Sequence, residues 1–207
     1  MKSITTLLML MILLTSHSLS AQTKIGLTAG ASFANLKAKA ESISITSDLK
    51  PGITAGLFID VPLSSNFSFQ PALNFVQKGG SFKDDFETGK TTLNYLEVPL
   101  NFIYNTGTAE GFFIGAGPAM AYGFSGKEKS GSEATKIKFG SGDEELKAFE
   151  FSANAIAGYR FAKGFMISAN YNLGLTSLAN ADSEDGTLKN SYFAIKIGCL
   201  FNQSKSK

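Results

Sequence analysis

The chain has 207 residues, and its 19 lysines and arginines against 17 aspartates and glutamates give a formal net charge of +2. This length fits one domain and leaves no room for a second large one. The near-neutral charge argues against nucleic acid as a partner. Cys199 is the only cysteine, so an intramolecular disulfide is excluded. The fold must therefore be held by its core and its backbone pairing.

The first 21 residues have the order of an export signal. Lys2 gives a positive start, an apolar run follows at 4–14, and small residues lead up to Ala21. That order is typical of a secretory signal, and the apolar run is too short to span the ~30 Å of membrane hydrocarbon. We predict a signal peptide at 1–21, cleaved after Ala21 or alternatively after Ser20. The mature domain is then 22–207, with a short disordered tail at 202–207.

Eight stretches of the mature chain alternate apolar residues with small or polar ones. In the first, Ile25, Leu27 and Ala29 alternate with Gly26 and Thr28. A period of two over this length indicates a strand rather than a helix. The predicted strands lie at about 23–35, 51–61, 67–77, 92–104, 112–124, 149–161, 165–176 and 191–201.

The links between these strands alternate between short and long. Short links lie at 64–66, 105–111 and 162–164, and long polar links lie near 36–50, 78–91, 125–148 and 177–190. The longest of them is rich in Gly, Ser, Lys and Glu, and we expect it to be a mobile, solvated loop. The alternation predicts an all-β fold, an eight-stranded antiparallel up-and-down transmembrane barrel. Its short turns would face the periplasm and its long loops the cell surface.

The two faces of the strands indicate which side meets lipid. The polar face carries small or hydrogen-bonding residues, with bulky Phe58, Tyr95 and Phe113 set against glycines, as expected for the lumen of a barrel that eight strands make just wide enough to fill. Aromatic residues on the apolar face cluster at both strand ends, such as Phe67 near a short link and Phe193 near a long one. Two aromatic girdles around an aliphatic band are typical of a lipid-facing surface.

Charged residues on the polar face are expected to pair, because a lone charge in a packed lumen is costly. Depth along the strands places Glu97 with Lys196 near mid-barrel, and Asp60 with Arg160 near the short-link end, with Lys24 close to the second pair. We interpret these four residues, Asp60, Glu97, Arg160 and Lys196, as a structural polar core rather than an ion pathway.

The amino-acid sequences of several predicted strands resemble those of one protein family. The segment Tyr95-Leu96-Glu97-Val98-Pro99 and the stretches at 51–58, 70–79, 116–118 and 171–175 are similar to the PorT-like outer-membrane β-barrel family, which is often labelled porin-like. The resemblance runs from about Lys24 to Phe201. It implies an outer-membrane barrel, and some members of the family are linked to protein secretion. No catalytic residues come with this resemblance.

The function we expect is that of a non-enzymatic outer-membrane barrel, acting as a membrane scaffold, a surface-loop binder or an accessory of a secretion or envelope system. Its expected partners are the lipid bilayer and an envelope or secretion protein, with no nucleic acid, and we expect a monomer. We expect neither a cofactor nor a metal, because the mature chain lacks a His or Cys cluster.

Three alternatives remain open. An outer-membrane enzyme is disfavoured, because its usual general base is histidine and the only histidine, His17, lies in the predicted signal. The acids at 84–85 and 143–145 have no spacing that defines a pair. A diffusion porin normally needs 16–18 strands. A soluble lipocalin-like barrel would turn its apolar face inward around a ligand.

Overall fold

The structure is a computed structural model that describes residues 23–40, 43–83, 88–107, 110–131, 133–142, 145–180 and 186–201. The predicted signal peptide at 1–21, the predicted tail at 202–207 and the loop acids at 84–85 and 143–144 lie outside these residues. Within the described ranges, no helix has the length and hydropathy needed to cross a membrane.

Within the described ranges, ten antiparallel strands build the fold. Their bounds are β1 (Lys24–Ala40), β2 (Ile43–Thr46), β3 (Lys50–Pro62), β4 (Phe67–Lys83), β5 (Thr88–Asn105), β6 (Gly111–Ser130), β7 (Glu133–Ile137), β8 (Phe149–Arg160), β9 (Phe165–Gly174) and β10 (Gly186–Phe201). Eight of them form a ring in the order β1, β3, β4, β5, β6, β8, β9 and β10, and the pairing of β10 with β1 closes it. The predicted eight-stranded up-and-down barrel is confirmed.

Side chains alternate between the inside and the outside of this ring. In β8, Glu150, Ser152 and Asn154 are buried, whereas Phe151 and Ala153 between them are exposed. The same alternation leaves a set of large apolar residues exposed on the outer wall, including Leu27, Ile53, Leu57, Ile114, Ile167, Ile195 and Ile197. An apolar outer wall around a largely polar interior is the arrangement of a membrane barrel, and it is the reverse of a lipocalin-like barrel.

Aromatic pairs mark both rims of the outer wall. At the short-turn end the ring centroids of Phe67 and Tyr104 are 5.2 Å apart. At the long-loop end those of Tyr122 and Phe149 are also 5.2 Å apart. Tyr and Phe at these two levels are typical of membrane interfaces.

The turn at 162–164 is as tight as predicted. Lys163 and Gly164 both have positive φ, at 66° and 86°, and Phe161 donates its amide to the carbonyl of Phe165 at 2.7 Å. Glycine tolerates this backbone conformation at no steric cost, which explains its place in the turn.

The long links contain more strand than the sequence predicts. β4 continues to Lys83, β6 continues to Ser130, and β10 begins at Gly186. Beyond the outer-wall girdle the outer face of these strands no longer has to be apolar, so the strict alternation of apolar and polar residues that marks a membrane-spanning strand is lost. β2 pairs with the extension of β1, and β7 pairs with the extension of β6, so both add small sheets at the long-loop end.

Candidate functional site

Two apolar layers close the lumen, one near each end. The layer near the short turns consists of Phe58, Ile103, Phe113, Ile156, Met166 and Leu200. The layer near the long loops is built around Leu36, Leu93, Tyr95, Ala121 and Leu178. Side chains from opposite walls meet in both layers, as expected for an eight-stranded barrel.

The longest link contributes to the upper layer. Phe139 stacks edge-on against Tyr95, with ring centroids 5.6 Å apart, and Leu146 packs against the same cluster. The expectation that the whole of 125–148 is a solvated loop is therefore wrong for this part. Two apolar side chains in a polar segment fold back over the barrel, where they bury their surface.

Buried charges lie just below that upper layer. The Lys78 ammonium nitrogen lies 3.0 Å from Glu97 Oε2 and 3.1 Å from Glu150 Oε1, and all three side chains are 0% exposed. Tyr192 donates its hydroxyl to Glu97 Oε1 at 2.5 Å. The same nitrogen lies 4.9 Å from the ring centroid of Tyr95 and 5.2 Å from that of Tyr192. Lys78 is thus held by two carboxylates and two aromatic faces. We call Lys78, Glu97, Glu150 and Tyr192 the lysine cluster.

Lys196 balances the charge of the lysine cluster. It is 5% exposed and adds a second buried ammonium to the lumen. The sequence predicts that Glu97 and Lys196 are neighbours. In the structure, Glu97 forms its ion pair with Lys78, at 3.0 Å. At their formal charges, the two buried lysines Lys78 and Lys196 match the two buried glutamates Glu97 and Glu150. Neutrality matters because an uncompensated buried charge is strongly destabilising.

The sequence prediction did not include Lys78 or Glu150 among the lumen charges expected to pair. Lys78 precedes Gly79 and Gly80, and a Lys-Gly-Gly run indicates the start of a loop. Its inward position could be found by continuing the alternation of β4, because Asn74, Val76 and Lys78 are all buried.

A second group of charges lies at the short-turn end. Arg160 Nη2 lies 3.8 Å from Asp60 Oδ2, and Gln70 donates its side-chain amide to Asp60 Oδ1 at 3.4 Å. Lys24 lies directly opposite Asp60 in the register of β1 and β3, and it lines a small recess with Asp60 and Arg160. These charges cap the lower apolar layer on the side of the short turns.

Little open space remains between the two layers. The recess lined by Asn74, Asn101, Asn154 and Asn170 has a volume of about 20 Å³, which accommodates roughly one water molecule. Asn154 donates its amide to Asn101 Oδ1 at 2.9 Å, so these side chains pack against one another. In the part of the chain that the structure describes, no three His, Cys, Asp or Glu residues could hold a metal ion. The lumen is packed with side chains rather than shaped around a ligand.

Exposed apolar residues lie instead at the long-loop end, in a sheet formed by β2, β1 and β10. Ile43 lies opposite Ala40 and Ile45 opposite Ala38, and the two isoleucines are 66% and 58% exposed. Leu188 of β10 also lies opposite Ala38. Because directly opposed residues share a face, these apolar side chains form one surface. We call it the mouth face, and it continues the inner face of the barrel above the upper layer.

The family model described as outer membrane protein beta-barrel domain matches residues 18–180. The chain belongs to this family. The match ends before β10, yet β10 completes the ring by pairing with β1 along sixteen positions from Ile25 to Ala40. A search of curated proteins gives no match.

Solved structures resemble this outer-membrane barrel in overall shape. The attachment invasion locus protein Ail of Yersinia pestis is 14% identical, with a TM-score of 0.46, and the match covers 87% of this chain and 99% of Ail. Neisserial surface protein A is 11% identical, with a TM-score of 0.46, and the match covers 89% of this chain and 100% of that one. The outer membrane protease OmpT of Escherichia coli is 8% identical, with a TM-score of 0.40, covering 91% and 99%. Similarities at this level say nothing about activity.

Proposed function

We propose that this outer-membrane barrel is a non-enzymatic, non-conducting protein that binds a protein partner at its long-loop end. The proposal rests on the contrast in exposure between the lumen and the mouth face. The lumen is filled, whereas the mouth face leaves Ile43 and Ile45 more than half exposed.

The filled lumen is the first support. A solute would have to displace both apolar layers and the lysine cluster, whose ion pairs and hydrogen bond lie between them. Breaking a buried ion pair costs about 3–5 kcal/mol. A recess of about 20 Å³ is far below the ~300 Å³ at which small-molecule pockets begin. Any recognition is therefore placed outside the lumen.

The mouth face is the second support. Its isoleucines lie on the inner face of the strand extensions, opposite to the lipid-facing wall, so lipid does not cover them. An exposed apolar patch with a polar rim is typical of a protein interaction site. The far edge of β2 is a second attachment point, because among the described residues β2 pairs as a strand only with β1. An extended apolar segment of a partner could add to this edge.

The non-enzymatic part of the proposal rests on the missing general base. No histidine follows His17, so a Ser-His-Asp arrangement is unavailable to the mature chain. Glu145, the described member of the loop acids, accepts the amide of Gly142 at 3.1 Å, which gives it a role in shaping its own loop.

The finer assignments are part of the same proposal. We place the chain in the PorT-like branch on the motif at Tyr95–Pro99, and we propose that its partner belongs to a secretion or envelope system. Export through the signal at 1–21 and an even number of strands would put both termini in the periplasm and the mouth face outside the cell. The barrel would act as a monomer until it meets that partner.

Site-specific photo-cross-linking tests the mouth face. A photoreactive amino acid at position 45 is expected to give a discrete protein adduct in outer membranes of the source bacterium, and Ile43→Gln in the same chain should remove it. The matched control places the same group at position 46, on the opposite face of β2. Equal adducts from positions 45 and 46, or an adduct unaffected by Ile43→Gln, would refute the proposal.

A further inference from the structure

We infer that the outer face of the strand extensions binds phosphate groups of anionic lipids in the leaflet that surrounds the long-loop end. The observation is a set of lysines placed directly opposite lysines in neighbouring strands. The three pairs are Lys37 with Lys189, Lys90 with Lys129, and Lys127 with Lys136. We call these six residues the lysine belt.

The lysine belt faces away from the barrel axis. Lys37 lies between Leu36, which is buried in the upper layer, and Ala38 of the mouth face, so its side chain points to the outer side of β1. In β5, Lys90 precedes buried Thr91, and it therefore also points outward. Directly opposed residues share a face, which puts their partners on the outer side as well.

The lysine belt also lies at the level of the lipid headgroups. Lys37 is four residues beyond Phe33 along β1, and Lys127 is three residues beyond Phe124 along β6. At ~3.3 Å per residue these spacings are about 10–13 Å along a strand, and strand tilt reduces their height above the membrane. Lysine side chains can extend back toward the interface. The ammonium groups then meet the headgroup layer directly above the aromatic girdle.

Lysine pairs of this kind are stabilised by an anion that lies between them. Like charges directly opposite one another destabilise a sheet, and within the described ranges the ion pairs involve other residues. Glu128 lies between Lys127 and Lys129 in β6 and therefore points to the other face. A phosphate oxygen between two ammonium groups would convert each repulsive pair into an attractive bridge. The lipid headgroup is the source we assign, because the lysine belt continues the lipid-facing wall.

The test compares neutral and anionic membranes. One lysine of each pair is replaced in the variant Lys37→Gln/Lys90→Gln/Lys127→Gln, and the purified barrel is refolded into phosphatidylcholine vesicles with or without phosphatidylglycerol. Co-purified phosphatidylglycerol is then counted by native mass spectrometry. We expect its affinity to fall about fivefold for each lysine removed. The matched control, Lys138→Gln/Lys147→Gln/Lys163→Gln, also removes three exposed lysines and should retain the lipid.

The sign of the stability change separates lipid binding from a structural role. In neutral vesicles the triple variant should unfold at the same or a higher urea concentration than the wild type, because repulsion is relieved. In anionic vesicles it should unfold at a lower concentration. Equal lipid retention by variant and wild type would overturn the inference. The inference would also be overturned if inorganic phosphate alone protected the wild type against urea unfolding in neutral vesicles. That result would identify a free anion as the ligand.

Discussion

Replacing Lys78 by methionine is expected to destabilise the folded barrel by about 3–5 kcal/mol. The change keeps an unbranched side chain, one atom shorter than lysine, but removes the ammonium that lies 3.0 Å from Glu97 and 3.1 Å from Glu150. Tyr192 still donates its hydroxyl to Glu97, so Glu150 is left as the less compensated carboxylate. The loss is measured from equilibrium urea unfolding of the barrel in lipid vesicles.

Two further variants show whether charge is the cause. Lys138→Met removes an exposed lysine and should change the unfolding free energy by less than about 0.5 kcal/mol. Adding Glu150→Gln to Lys78→Met should recover a large part of the loss, because no uncompensated carboxylate remains. If the double variant is less stable than Lys78→Met, the two carboxylates are not held by Lys78 in the way the structure indicates.

Replacing Gly79 by alanine is expected to have the second largest effect, a loss of about 2–5 kcal/mol. Gly79 has a φ of +124°, which side-chain-bearing residues adopt only at a cost of about 1–3 kcal/mol. A Cβ there would also collide with the carbonyl oxygen of Thr91 in the neighbouring strand. Backbone atoms cannot rotate away, so the strands would have to separate next to Lys78. Urea unfolding in vesicles measures this loss too.

Gly89→Ala is the matched control for this variant. Gly89 lies in the same pair of strands, opposite Phe82, and a Cβ there would lie 3.8 Å from its nearest neighbours, which is ordinary contact. We expect a change of less than about 1 kcal/mol at this position. Equal losses at positions 79 and 89 would contradict the local geometry around Gly79.

The sequence predicted the barrel well because a strand between lipid and a packed lumen must alternate at every residue. The number of ring strands, their order and the outward position of residues such as Leu57 and Ile195 all follow from that constraint. The expected balance of large and small lumen residues is also found, since a Cβ on Gly158 would collide with the ring of Phe113.

The sequence does not predict the parts of the strands that lie outside the membrane, because lipid imposes no alternation there. Beyond the girdle both faces of a strand can carry polar residues, such as Lys127 and Glu128 on opposite faces of β6. The strand extensions and the added β2 and β7 therefore have no periodic pattern in the sequence. The ion-pair partner of Glu97 was also beyond the sequence. Depth along a strand suggests Lys196 for Glu97, but strand tilt and stagger bring Lys78 within 3.0 Å instead.

Single-channel recording in planar lipid bilayers tests the central claim, that the lumen is filled and the protein works from its surface. The purified barrel is inserted at low protein concentration, with a 16-stranded diffusion porin as the positive control. The two apolar layers and the lysine cluster between them predict that wild-type insertions produce no stable conductance steps. Reproducible steps of a single size from the wild-type barrel would contradict a filled lumen and would make a channel the better description of this protein.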